Sequence, residues 1–269
     1  MLAEGTLRGR TAVVTGGGTG MGLAIAKEFA RLGANVAIAS RKQEVLEAAA
    51  AEIREGAAEG AEVEWYVLDV RDPDAVEEVA GKVTERFGNA GILVNNAAGN
   101  FVVPARQLTV NGWRAVIDIV LNGTFFCTQA FGRRLLEAKQ PGSIINLVAT
   151  YAWTGGPGTV HSAAAKAGVL SLTQTLAVEW GLRGIRVNAI APGPIERTGG
   201  AEKLFSAPQV AEAVRSGVPL GRFGTPKEIA WAASYLASDY AAYVNGACLV
   251  VDGGEWLNQG FSRFLEPGS

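Results

Sequence analysis

The chain is short of the residues from which metal centres and nucleophilic triads are built. Its only histidine is His161, which excludes a multi-histidine metal site and argues against a Ser-His-Asp triad. Two cysteines, Cys127 and Cys248, are too few for a metal cluster and read as buried thiols. No excess of one charge exists: 24 basic against 26 acidic residues give a net charge of −2, so no basic footprint for nucleic acid is visible. The longest charge-free stretch, Gln140 to Ala165, is interrupted by Asn146, two prolines and several glycines, and is not a continuous apolar run fit to span a membrane. Glu4 and the lack of an apolar block before the first strand argue against a signal or transit peptide, and the tail Leu265-Glu266-Pro267-Gly268-Ser269 is not a peroxisomal address. A reducing, cytoplasmic compartment is the expectation.

What the chain does have is apolar sequence in regular alternation. The apolar fraction is 48% of 269 residues, spread evenly, which excludes a disordered protein and allows a large core. Apolar runs predict strands at Thr11–Thr15, Asn35–Ser40, Val63–Leu68, Ile92–Asn95, Ser143–Val148, Ile185–Ile190 and Ala247–Val251. Helical spacing predicts helices at Met21–Leu32 and Val45–Ile53 and one from Pro73, where Asp72 supplies the cap and proline the first helical position. Thr225-Pro226-Lys227-Glu228 has the form of a capping box that opens a late helix. Strands this apolar, separated by helices, imply α/β architecture: a doubly wound parallel sheet of about seven strands with helices on both faces. No linker or repeat interrupts the pattern, so residues 1–269 read as one domain, with ligands expected at the carboxyl ends of its strands.

Between the first strand and the first helix lies Thr15-Gly16-Gly17-Gly18-Thr19-Gly20-Met21-Gly22. Glycines there permit a tight turn and let backbone amides approach a pyrophosphate at the helix N-terminus; the plainer reading, a simple turn, is weakened by the strand–helix context. An acidic residue at the end of the second strand would hold the ribose hydroxyls of NAD. Here that strand ends Ala39-Ser40-Arg41-Lys42, and arginine suits a 2′-phosphate, so NADP(H) is the predicted cofactor. The alternative is that Arg41 and Lys42 merely begin a solvated helix.

With these residues in view, the chain resembles the short-chain dehydrogenase/reductase superfamily, whose fold is Rossmann-like, over nearly its full length. Besides the glycine pattern, Leu68-Asp69-Val70 resembles the segment in which the aspartate contacts adenine. Asn96-Ala97-Ala98-Gly99 resembles the loop after the fourth strand that supports the cofactor, and Asn188-Ala189-Ile190-Ala191-Pro192-Gly193, continuing to Ile195, the segment that closes over the nicotinamide. The superfamily's active site is an Asn-Ser-Tyr-Lys tetrad. Asn122 and Lys166 keep their places, but the serine slot is Ala149 and the tyrosine slot, four residues before Lys166, is Ser162. A tyrosine stands instead at Tyr151, fifteen residues before the lysine.

This departure resembles one branch, the 2,4-dienoyl-CoA reductases, as do Asn95 to Phe101, Asp118 to Thr124 and Pro192-Gly193-Pro194-Ile195. The segment from Glu196 to Gly200 matches less well, leaving acyl-chain preference open. The resemblance implies NADPH, an acyl-CoA substrate and a homotetramer. It implies that the Tyr151 hydroxyl and Asn122 amide stabilise a dienolate oxygen, that Lys166 holds the nicotinamide ribose, and that Ser162 positions its neighbours. Each has a plainer reading: Tyr151 packed beside Trp153, Asn122 satisfying backbone groups, Ser162 a helix N-cap, and His161 a structural residue. Competing functions are a reductase of another carbonyl or conjugated substrate, and a non-catalytic NADP(H)-binding regulator.

Overall fold

The computed structural model describes residues 2–196 and 208–258. In chain order the elements are β1 (Thr11–Thr15), α1 (Gly20–Arg31), β2 (Asn35–Ser40), α2 (Gln43–Glu55), β3 (Val63–Val67), α3 (Pro73–Phe87), β4 (Ile92–Asn95), α4 (Val110–Ile117), a π-helical turn (Asp118–Asn122) and α5 (Gly123–Glu137). Then follow β5 (Gly142–Leu147), α6 (Tyr151–Thr154), α7 (Val160–Gly181), β6 (Ile185–Pro192), α8 (Pro208–Ser216), α9 (Pro226–Ala237) and β7 (Cys248–Val251). All seven strands are parallel, in the order β3-β2-β1-β4-β5-β6-β7. The chain winds outward from β1 to β3, crosses back, and builds the other half from β4 to β7.

Side-chain alternation along the strands sorts the core into two layers. Ala12 and Val14 of β1, Val36 and Ile38 of β2 and Ile92 and Val94 of β4 pack with α1, α2 and α9. Val13, Ala37, Ala39 and Leu93 point the other way, against α3, α5 and the end of α7. A central β1–β4 pair buried on both faces is why these strands read as continuous apolar runs. The helical run Val110–Glu137 is long and apolar enough by length and composition to cross a membrane; half of its most apolar window is buried, and Cys127, Ala130, Phe131 and Leu135 sit in the core.

Helix ends follow their caps. The Asp72 carboxylate accepts from the amides of Asp74 and Ala75 at 3.0 and 3.2 Å, and Thr225 with Glu228 forms the reciprocal capping box. Boundaries differ from expectation where polar residues extend an element: α2 starts at Gln43 rather than Val45, because apolar spacing does not register its polar first turn. Leu68, Val148 and Ala247 fall just outside their strands, while β6 runs on to Pro192.

Candidate active site

The winding reverses between β1 and β4, and the crevice beyond their carboxyl ends holds a cavity of about 670 Å³. Its floor is sewn together by side chains. Thr15 Oγ1 accepts from the amides of Asn96 and Ala97, both at 3.1 Å, while Asn96 Nδ2 donates to the carbonyls of Thr15 and Gly16 at 3.0 and 3.2 Å. Close approach requires Gly22: a Cβ there would lie 2.3 Å from the Gly16 carbonyl oxygen and 2.6 Å from Asn96 Nδ2. Gly16 itself takes φ +64°, a left-handed turn that glycine adopts freely.

Most of the predicted cofactor residues meet on this wall. The glycine turn contributes Gly16, Thr19, Gly20 and Met21; the end of β2 contributes Ser40 and Arg41; the segment after β3 contributes Asp69 and Val70. From the other half come Asn96, Ala97, Ala98 and Lys166, with Pro192, Gly193 and Ile195 beyond β6. Gly18, Gly22 and Lys42 are not part of the wall. Gly18 abuts Val45, Gly22 packs under the turn, and Lys42 is the exposed cap residue of α2. Arg41 is exposed and makes no hydrogen bond or ion pair with any described residue, which leaves its guanidinium available for an anion. Asp69 is held by Arg71, a neighbour the sequence reading missed: Nη2 and Nε donate to its carboxylate at 2.5 and 2.9 Å and keep its carboxyl below the usual range.

In the same cavity the displaced tyrosine finds the family's tyrosine slot. Tyr151 Oη and Ser162 Oγ are 3.0 Å apart. Tyr151 lines the cavity from the one-turn helix α6, while Ser162 sits in the first turn of α7, almost fully buried. Burial pushes the Tyr151 phenol upward, and the bond to Ser162 works against that shift. Lys166, one turn further along α7, is buried and donates from Nζ to the Leu147 carbonyl at 2.5 Å; burial pushes its ammonium down to about 8. Ala149 lines the same wall, so a methyl group stands where the superfamily's serine would be.

Two residues sit differently from expectation. Asn122 does not converge with Tyr151: it ends the π-helical turn, its amide donates to Asp118 Oδ1 at 2.9 Å, and it is not among the described residues lining the cavity. Ser162 is not an N-cap, because α7 starts at Val160 with Thr159 before it. His161 is fully buried, its ring edge-on to Phe101 at 4.4 Å, and neither ring nitrogen has a partner among the described residues. Trp153 packs edge-to-face on Trp256 at 5.6 Å rather than on Tyr151. That contact brings the segment after β7 to the cavity, where Glu255 joins the wall. Nothing in the run Asp252-Gly253-Gly254 signalled this, because it reads simply as the end of a strand. Residues 197–200 lie outside the described residues.

Comparison with known proteins follows the same lines. Residues 16–255 match the family model described as enoyl-(acyl carrier protein) reductase. A Bacillus subtilis (strain 168) protein described as "Probable 2,4-dienoyl-CoA reductase", (2E)-enoyl-CoA-producing, is 55% identical over 250 residues, 93% of this chain and 97% of that one. The crystal structure of a short chain dehydrogenase from Bacillus anthracis superposes with a TM-score of 0.86 at 51% identity, covering 94% of this chain and 99% of the other. An Agrobacterium tumefaciens protein, provisionally described as a 2-deoxy-d-gluconate 3-dehydrogenase and solved with bound NADP, gives a TM-score of 0.85 at 38% identity, covering 96% and 100%. With its switch-point cavity, its glycine turn and its buried lysine, this chain belongs to the short-chain dehydrogenase/reductase family.

Proposed function

We propose that the protein reduces 2,4-dienoyl-CoA thioesters to enoyl-CoA with NADPH, a step that fatty-acid β-oxidation requires for polyunsaturated chains. The observation that carries this reading is the Tyr151–Ser162 hydroxyl pair beside Ala149. Reduction of a simple ketone needs an acid that protonates the alkoxide as it forms, a role for a lysine-tuned tyrosine in the α7 slot. Here that slot offers only Ser162, and the phenol approaches from α6. A conjugated thioester asks for something different: charge collects on the thioester oxygen, and a donor aimed at that oxygen stabilises it.

NADPH fits the residues present. The turn from Gly16 to Met21 lines the cavity at the start of α1, where helix amides are free to meet a phosphate, and Arg41 makes no hydrogen bond or ion pair with a described residue. When bound, NADPH supplies the hydride. Tyr151 holds its hydroxyl toward the thioester oxygen, and Ser162 fixes the direction of that hydroxyl from the buried side. Lys166 holds the nicotinamide ribose and places a positive charge beside the developing anion. Asn122 is hydrogen-bonded to Asp118 at the π-helical turn between α4 and α5. Assembly into a homotetramer is part of this reading, supported by the fully exposed Leu182 and largely exposed Val178 at the end of the apolar helix α7.

The test is NADPH oxidation against dienoyl-CoAs, enoyl-CoAs, acetoacetyl-CoA and simple cyclic ketones. Turnover confined to the dienoyl-CoAs is expected. Ketone turnover of comparable speed would replace this reading with that of a carbonyl reductase, and NADPH binding without turnover on any substrate would replace it with that of a regulator.

A further inference from the structure

We propose that the carboxyl group of Glu255 delivers the proton that the substrate carbon takes up after hydride addition. This rests on the dienoyl-CoA reading and supplies the half of the reaction that Tyr151, aimed at oxygen, leaves undone.

Among the described residues, the titratable side chains on the cavity wall are Arg41, Asp69, Tyr151, Lys166 and Glu255. Arg41 is exposed, at the end of β2. Asp69 is fixed as a carboxylate by Arg71. Tyr151 shares its hydroxyl with Ser162, and Lys166, with one N–H on the Leu147 carbonyl, keeps its others for the nicotinamide ribose. Apart from the exposed Arg41, only Glu255 of these has no hydrogen-bond or ion-pair partner for its side chain among the described residues, although it is half-buried.

Its backbone, by contrast, is firmly held. The Asp252 carboxylate accepts from the amides of Gly254 and Trp256, each at 2.8 Å, and Asn258 Nδ2 donates to the Gly217 carbonyl at 2.7 Å. Trp256 packs on Trp153, two residues beyond Tyr151, so the carboxyl and the phenol belong to two segments that touch. Burial, with the nearby Asp252 carboxylate, holds the Glu255 carboxyl above its ordinary range, the direction that favours an acid near neutral pH. Charged groups on the facing elements are Lys166 of α7, with Tyr151 of α6 titrating only at high pH; from α8 the wall receives uncharged Val214, while Arg215 of that helix pairs with Glu212.

In the step itself the Glu255 O–H bond breaks and a C–H bond forms on the dienolate. The electron pair on the thioester oxygen returns to make the carbonyl, and the carboxylate recovers a proton from solvent. Protonation at the carbon next to the carbonyl leaves the double bond at position 3; protonation two carbons further leaves it at position 2. The placement of Glu255 therefore decides which enoyl-CoA leaves.

The test compares wild type, Glu255→Gln and Glu255→Asp with one dienoyl-CoA, following NADPH oxidation, the ratio of enoyl products and the pH profile of kcat. NADPH titration serves as the check on folding. Expected in Glu255→Gln are unchanged NADPH affinity, one rapid equivalent of NADPH oxidised, steady-state turnover lowered by about a hundredfold or more, and loss of the alkaline limb that Glu255 sets, leaving the one that Lys166 sets near pH 8. Glu255→Asp should recover part of the rate with a shifted limb or an altered product ratio. Wild-type rate, limb and product ratio in Glu255→Gln would overturn the inference and leave the dienoyl-CoA reading standing. If Glu255→Gln fails to bind NADPH, the aspartate variant decides: a shifted limb supports the assignment and an unmoved one overturns it. A wild type inactive on every dienoyl-CoA would remove the functional reading first.

Discussion

Replacing Tyr151 with phenylalanine removes one oxygen atom from a 3.0 Å hydroxyl pair and nothing else. Two separate magnitudes follow. In the resting protein Ser162, about 1% exposed, loses its partner, and leaving a buried hydroxyl unsatisfied costs roughly 1–3 kcal/mol. For a chain of this size each kcal/mol lowers the melting temperature by about 2–4 °C. In the reaction the loss is larger: one oxyanion donor is worth about 10²–10³ in turnover. Ser162→Ala acts differently, because it leaves the phenol on the wall but unguided. Losing one neutral hydrogen bond, roughly 0.5–1.5 kcal/mol, predicts a reduction of about two- to tenfold. The double variant should resemble Tyr151→Phe, since both residues act on one oxygen. Single-turnover NADPH oxidation with a dienoyl-CoA, together with thermal melts, measures both magnitudes. An inactive Ser162→Ala alongside a healthy Tyr151→Phe would refute the reasoning, because the donor would then be the serine.

Arg41→Ala should weaken NADPH by about ten- to a hundredfold in direct titration and leave NADH nearly unchanged, the scale of one charge-assisted contact. Lys166→Met should abolish turnover yet raise the melting temperature of the cofactor-free protein at neutral pH. The unfolded chain keeps the lysine proton up to its ordinary 10.5 and the folded chain releases it near 8, so wild-type stability rises with pH across that window. The advantage of the variant, at most about 3 kcal/mol, should close between those two pH values in melts at graded pH. Gly22→Ala should weaken NADPH at least tenfold and lower the melting temperature by several degrees, because the new methyl meets the Gly16 carbonyl with no flexible atom to yield.

The strands, their parallel arrangement and the caps at Asp72 and Thr225 were legible because each is written locally, in apolar runs and short polar signatures. Most of the cofactor wall was legible for the same reason: its residues sit at strand ends, where chain order fixes their place. Legibility failed where tertiary contacts decide. No spacing rule announces the π-helical turn that Asn122 ends or its bond to Asp118, and the partner of Tyr151 depends on how α6 folds against α7. Arg71 and Glu255 went unnoticed because an ion pair two residues along and a wall built by a tryptophan contact leave no mark in periodicity. The shift of the tyrosine was visible in the sequence; its partnership with the slot it vacated was not.

Moving the phenol off α7 also changes what anchors it. In α7 a side chain is carried by six turns of helix packed on the sheet. Tyr151 instead opens a four-residue helix that ends at Gly155 in a left-handed conformation, φ +75°. A single turn has no helical stability of its own and stands only while its neighbours hold it. Such segments open at free energies well below that of global unfolding. Heat or mild denaturant would therefore silence this enzyme while its sheet, and much of its nucleotide cradle, stayed folded. Its working temperature range is set by one turn of helix and a pair of tryptophans, and a melting curve alone overstates it.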